Sequence, residues 1–363
     1  MTNTRADIQG TGVNAAQLSA ATLRSGVMDL LGRAGSNAKL RRVEPCTLGG
    51  NNRIYRADTS DGAFAVKAYF RHAEDGRDRL ASEYAFLTYA NAAAPGSVPR
   101  QYACNPDAGM ALYEFVEGRP FVAGQIGADE VDAATRFFRA LNAPALRVGA
   151  QLPQASEACF CIADHLELID GRITRLVDVL PLSSVDVAAY VLVQDISKLW
   201  QRLSDEIRNG AARVGLDCNA PLPAAQRCIS PSDFGFHNAL IEQNGNIRFL
   251  DFEYAGWDDP AKTAGDFFAQ LAVPVPTAFI DDFTAEILRD FSQIHQPSVV
   301  ARLLRPAYQI KWCCIALNVF LPVNLARRKF ANPGLDEAAL KHAQLYKAQQ
   351  LFQSIQVTTN GLH

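Results

Sequence analysis

Residues 230–253 read SPSDFGFHNALIEQNGNIRFLDFE, which puts Asp233 five residues before Asn238 and brings Asp251 in after a turn at Asn244-Gly245-Asn246. Phosphoryl transfer uses such groups in this order. One carboxylate meets the acceptor hydroxyl, and an amide and a second carboxylate offer magnesium the hard oxygen ligands it prefers. Turn-forming Asp and Asn residues flanking a hairpin are the plain alternative; the order and spacing favour a site. A catalytic stretch here requires a nucleotide-binding unit upstream.

Upstream, RIYRADTSDGAFAVKAYF (53–70) reads as two strands around an Asp61-Gly62 turn, because Asp-Gly supplies the positive φ angles of a tight hairpin. Alternation puts Phe64, Val66 and Ala68 on one face of the second strand and Ala65, Lys67 and Tyr69 on the other. Asp78 to Asn91 carries Leu80, Tyr84 and Leu87 at helical spacing, with Glu83 among them. A strand lysine aimed into a cleft needs a carboxylate to hold its ammonium, and Glu83 is the candidate; a surface pair is the bland alternative. Ala65, on the lysine's face, is small enough to leave room for a flat adenine. Gly49 and Gly50 lie where a phosphate-covering loop belongs, although they match neither G-x-G-x-x-G nor the Walker pattern and also read as a simple turn. Met110 to Phe115 is a short apolar strand running into Gly118 and Pro120, a linker between lobes.

The remainder is mostly helical in pattern. A helix over Ala16–Gly32 prefaces the strands. Stripes follow at Val131, Ala134, Phe138 and Leu141, at Leu166, Ile169, Ile173, Leu176 and Leu180, and at Ile196, Leu199, Trp200, Leu203 and Ile207. Phe279–Leu288, Val299–Leu321 and Leu335–Ile355 also favour helix, with Pro306 a kink or break. With 363 residues, 48% hydrophobic and 20% charged, the chain can bury a sizeable core. A net charge of −3 offers no basic field to a nucleic-acid backbone. The eight cysteines are scattered without a C-x-x-C pair and read as free thiols in a reducing cytosol. Without a signal-like apolar core or a run of roughly 18 to 20 apolar residues, the expectation is a cytoplasmic protein with no membrane partner.

SPSDFGFHNAL and FLDFEYAGWDDPAKTAGDF, with Lys67, Glu83 and the LYEFVEG linker, resemble the aminoglycoside phosphotransferase and choline kinase family, a branch of the protein-kinase-like fold. The likeness runs over about residues 40 to 270. It implies a two-lobed α+β fold: an N-terminal extension with a helix (1–37), a small β-rich N-lobe (38–112), a hinge (113–118) and a larger, mainly helical C-lobe (119–363). It implies Asp233 as catalytic base, Asn238 and Asp251 as magnesium ligands with Glu253 in support, and Lys67 on the α- and β-phosphates of ATP, oriented by Glu83. The backbone of Glu114 and Val116 is expected to meet adenine with Tyr113 behind the ring, and Asp266 to stabilise the catalytic loop.

The implied activity moves the γ-phosphoryl group of ATP, with Mg2+, to a hydroxyl of a small molecule such as a sugar, amino sugar or amino alcohol. Pro231 stands where the family usually has a histidine, and a proline with its fixed φ stiffens the loop in its place. His237 reads as a loop side chain. Tyr254, Trp257 and Trp312 with Asp258 and Asp259 suit a cationic acceptor, unless Trp312 is helix core; Lys311 and Arg305 suit a sugar acid or phosphorylated sugar instead. A catalytically inactive nucleotide-binding scaffold, and less favourably a protein kinase, stand as rivals.

Overall fold

A computed structural model of the chain describes residues 19–46, 52–71, 77–177, 179, 181–292 and 296–360. Helix α1 (Ala20–Arg33) opens at Ser19, whose hydroxyl accepts from the Thr22 N–H, and buries Val27, Leu30 and Leu31. Residues 16–18 of the expected preface helix lie outside the described residues. Strands β1 (Leu40–Cys46), β2 (Arg53–Thr59) and β3 (Gly62–Ala68) follow. After helix α2 (Arg79–Ala93) come β4 (Gln101–Asn105) and β5 (Met110–Glu114). The five strands form one antiparallel sheet in the order β1-β2-β3-β5-β4.

Thr59 pairs with Gly62, so the β2–β3 turn is Ser60-Asp61, one residue earlier than the sequence suggests. Only Gly62 needs a positive φ (128°), because Thr59 Oγ1 closes the turn by accepting from Asp61 N–H and donating to Gly62 O. The predicted alternation of β3 holds. Val66 and Ala68 pack with Ala103, Met110 and Leu112 under α1, while Ala65 and Lys67 face a cleft.

The C-terminal part comprises β6 (Arg119–Pro120), α3 (Ala128–Leu141), α4 (Pro144–Arg147), α5 (Ile162–Val177) and α6 (Ser184–Arg213). Short strands β7 (Cys228–Ser230), β8 (Ala239–Ile241), β9 (Ile247–Phe249) and β10 (Gly256–Asp258) carry the loops of the quoted stretch. Then come α7 (Pro260–Ala269), α8 (Ile280–Leu288), α9 (Pro297–Leu317), α10 (Pro322–Ala331) and α11 (Glu337–Asn360). β6, β8 and β9 form one small sheet, and β7 pairs with β10. The stripes on α3, α5 and α6 are buried as their spacing predicts, although Leu180 falls outside the described residues. The fold is thus two-lobed α+β.

Pro306 does not break α9, which continues through it. Leu304, Ala307, Tyr308 and Ile310 around the proline are fully buried, and this packing outweighs one lost backbone hydrogen bond. All eight cysteines are unpaired. Among the described residues no single helix is long and apolar enough to cross a membrane.

Helix α7 lies close against α9 because it has Gly265 at the crossing: a Cβ there would overlap the Tyr308 ring. Gly265→Ala is therefore expected to destabilise the fold by about 1–3 kcal/mol through overpacking, although alanine is the better helix former. A denaturation midpoint equal to or above wild type would show that the crossing has slack.

Candidate active site

Lys67, on β3, holds its ammonium between two carboxylates, with Glu83 Oε2 at 2.6 Å and Asp251 Oδ1 at 2.5 Å. Burial opposes the charge, but Asp251, Glu83 and Glu253 outweigh it and hold the lysine well above its ordinary pKa. Glu83 is fixed from three sides. Its Oε1 accepts from Phe252 N–H (3.2 Å), and its Oε2 also accepts from Tyr69 OH (2.6 Å), which in turn pairs with Tyr113 OH at 2.7 Å. Burial pushes the Asp251 carboxyl up to about 6, with Lys67 opposing and Glu253 and Glu83 adding to the rise. Asp251 has φ 63°, a left-handed conformation that non-glycine residues seldom adopt outside functional turns. The turn is held by Phe252 N–H on Glu83 and by Leu250 N–H on Asn238 O (2.8 Å).

The loop after β7 is fixed by its neighbours. Asn142 clamps Ile229 through both backbone groups, with Nδ2 donating to O at 3.0 Å and Oδ1 accepting from N–H at 2.8 Å. Ser230 Oγ pairs with Thr263 Oγ1 at 2.9 Å and accepts from Ser232 N–H at 3.0 Å. These bonds brace Pro231 on both sides. Phe234 and Phe236 then insert into an aromatic core, with Phe234 centred 5.2 Å from Phe249 and 5.1 Å from Phe267. Between and beyond these anchors, His237 Nε2 lies 3.1 Å from Asp233 Oδ1, and Asn238 Nδ2 donates to Asp233 O (3.0 Å) and Oδ2 (3.2 Å). Burial disfavours the Asp233 carboxylate, but His237, Asn238 and Lys311 outweigh that and hold its pKa below the ordinary aspartate range. His237 is thus more than the bystander its position in the sequence suggested.

A cavity of about 1360 Å³ joins these parts. Its walls include Ala65, Lys67 and Glu83 from the first lobe, and Tyr113, Glu114 and Val116 from the linker. Asp233, Asn238 and Asp251 face it from the quoted stretch. Gly49 and Gly50 lie outside the described residues. Glu253 requires a correction as a metal ligand. It is 2% exposed, its Oε1 lies 2.8 Å from Arg79 Nη1, and its Oε2 accepts from Asn52 Nδ2 at 2.7 Å. Its charge is spent inside the protein.

The expected carboxylate wall also fails. Asp258 is buried on Lys262 (2.7 Å), and Asp259 caps α7 and meets His165. Arg305 pairs on the outside with Asp281. Tyr254 does line the cavity, as do Lys311 and Trp312. Trp312 is therefore wall, not core. Asp266 turns toward α9: Lys311 Nζ donates to its two oxygens at 2.8 and 2.7 Å, and Trp312 Nε1 to Oδ1 at 2.9 Å. Two further wall residues gave no sequence signal: Glu157 and Arg172, which pair through Arg172 Nη2. Burial opposes the Glu157 charge, but Arg172 and Lys311 outweigh it and pull the carboxyl down to about 2.

Oxygen chemistry decides which metal this site suits. Asn238 spends its Nδ2 on Asp233, which leaves the carboxamide oxygen as the group it can offer, and Asp251, in the turn after β9, lines the same cavity. Among the described residues no group of three or more His, Cys, Asp or Glu side chains can hold a metal alone. One carboxylate and one amide fit Mg2+, which keeps several waters and is completed by substrate phosphates.

A family model described as the phosphotransferase enzyme family matches residues 42–295. Solved structures share the fold at low identity. A choline/ethanolamine kinase family protein from Mesorhizobium loti is 18% identical over 91% of this chain and 94% of its own, with a TM-score of 0.52. Choline kinase from Cryptosporidium parvum is 15% identical, covering 86% of this chain and 91% of its own, with a TM-score of 0.52. A spectinomycin phosphotransferase solved with ADP and spectinomycin is 11% identical, covering 88% and 98%, with a TM-score of 0.54. No curated protein matches by sequence.

Two outcomes follow from the ion pairs. Glu253→Gln removes the carboxylate that meets the buried Arg79 guanidinium at 2.8 Å and should cost about 3–5 kcal/mol in urea unfolding, with any magnesium dependence of activity unmoved. Unchanged stability with a shifted magnesium dependence would return Glu253 to the metal. For Glu157, the folded pKa of about 2 lies below the ordinary glutamate value of 4.5, so its stabilisation is intact above 4.5 and lost as pH falls toward 2. The stability difference between wild type and Glu157→Gln should shrink across that window; a constant difference from pH 5 to 2 contradicts the ion pair.

Proposed function

The chain belongs to the phosphotransferase enzyme family, and from that premise we propose that it transfers the γ-phosphoryl group of ATP to a hydroxyl of a small molecule, with Mg2+ as the metal. The lobes are set at 38–112 and 119–363 about a hinge at 113–118. One observation carries this reading: the Lys67 ammonium shared by Glu83 and Asp251 opens onto the same cavity as the Asp233–Asn238 pair. Structures of choline kinases and of a spectinomycin phosphotransferase share this fold.

Each residue has a task set by its surroundings. Lys67 has three donors, two of them engaged by carboxylates, and the third is available to the α- and β-phosphates. The Glu114 N–H already donates to Arg100 O at 2.8 Å, so adenine draws on the Glu114 carbonyl and on Val116. Ala65 leaves room for the ring, with Tyr113 behind it. Asn238 and Asp251 are the protein ligands of Mg2+, which when bound neutralises phosphate charge. Asp233, ionised and held by His237 and Asn238, accepts a hydrogen bond from the acceptor hydroxyl and takes its proton as the transfer proceeds. Catalysis of this kind is mostly positioning and charge stabilisation.

Asp233→Asn keeps the side chain's shape and one of its two acceptor oxygens, loses one of the contacts from His237 and Asn238, and removes the base. Phosphoryl transfer should fall about 10²- to 10⁴-fold while ATP affinity, read by calorimetry, stays near wild type. Full turnover in that variant refutes the assignment.

A further inference from the structure

The wall of the cavity beyond the nucleotide carries an excess of positive charge. Its three carboxylates are already matched: Glu157 by Arg172, Asp266 by Lys311 at 2.7 Å, and Asp186 by Lys341 at 3.2 Å. Arg175, which shares Glu157 with Arg172 at 3.9 Å, and Lys347 add two more cations to the same wall. Within it, Arg172 has a side chain only 10% exposed, and one Nη engages Glu157 while its Nε–H is buried with no partner. A fixed guanidinium donor without an acceptor is costly unless something arrives to accept from it. Lys311 lies nearby and is 6% exposed. Burial lowers its pKa, and Asp266 does not fully offset this. Its neighbour Trp312 stands edge-on to His237, with ring centroids 6.1 Å apart, so this wall borders the catalytic loop.

We propose that the acceptor is a hydroxyl compound bearing an oxyanion, a carboxylate or a phosphate monoester, seated against Arg172 and Lys311 on the wall that Trp312 shares with the catalytic loop. This rests on the reading of the chain as an ATP-dependent phosphotransferase. An oxyanion brings a counter-charge to the Arg172 guanidinium and stabilises the Lys311 ammonium, whereas an ammonium-bearing acceptor meets carboxylates that are already neutralised and lies against a wall with more cations than carboxylates. Acceptance by Asp233 of the hydroxyl proton, and transfer of the phosphoryl group from ATP to that oxygen with release of ADP, are unchanged by the choice of acceptor charge.

A scaffold-matched series tests this with the full chain, ATP and Mg2+: a hexose, its uronic acid, its 6-phosphate and its 2-amino derivative. Turnover is read by mass gain of one phosphate, and binding by calorimetry with a non-hydrolysable ATP analogue. The expected result is that one or both anionic members exceed the neutral hexose about 10- to 100-fold in affinity or kcat/KM, with the amino sugar weakest. The uronic acid and 6-phosphate arms distinguish carboxylate from phosphate. Arg172→Gln should raise KM for the anion far more than it lowers kcat, and narrow the gap to the neutral hexose. Arg175→Gln, at a side chain 56% exposed, supplies a second variant should Arg172→Gln misfold, and should narrow the gap less. Equal or stronger binding of the amino sugar overturns the acceptor class and leaves the phosphotransferase reading standing. Failure to bind the ATP analogue overturns that reading, and this proposal with it.

Discussion

The buried ammonium of Lys67 is the constraint around which the two lobes agree. A lysine this enclosed is tolerable only with counter-charges, and its two partners come from different parts of the chain, Glu83 from α2 and Asp251 from the turn after β9. Glu83 in turn holds the backbone of Phe252, whose ring packs 4.6 Å from Phe86 on α2. Charge, backbone hydrogen bond and aromatic contact thus fix one geometry. The sheet, the helix and the turn carrying Asp251 cannot move independently without exposing an unpaired charge.

The loop bearing Asp233 is held by a different device. Its polar residues alternate with phenylalanines, and the rings of Phe234 and Phe236 enter a cluster shared with Phe249 and Phe267. Dispersion and burial anchor the loop, which frees Asp233, His237 and Asn238 to bond with one another. Among the described residues three that line the cavity hold a left-handed backbone, Ser232 (φ 66°), Asp251 (φ 63°) and Glu157 (φ 58°). Hydrogen bonds from Asn142, Ser230 and Thr263 hold the proline-containing turn without a histidine at position 231.

Helix α9 builds the other wall. Its tight crossing with α7, permitted by Gly265, brings Lys311 and Trp312 onto Asp266. That network sits near Glu157 and Arg172, and their fields act on one another: Lys311 lowers the carboxyls of both Asp233 and Glu157. The Asp233 carboxyl and the Glu157–Arg172 wall therefore share one electrostatic environment.

Local pattern and order determined the class of fold and the main chemical groups. Period-2 alternation put Lys67 and Ala65 on one face of β3, helical spacing put Glu83 on α2, and the Asp233, Asn238, Asp251 order marked the loop, because these depend on neighbours a few residues apart. Only tertiary structure decided what each charge does. Glu253, one residue from Phe252, is turned inward to Arg79, 174 positions away, and Asp258 is neutralised by Lys262. Arg172 reaches the cavity because α5 packs beside α9. Desolvation and long-range pairing select among carboxylates that look alike in sequence, and both are set by the packed fold rather than by neighbouring residues.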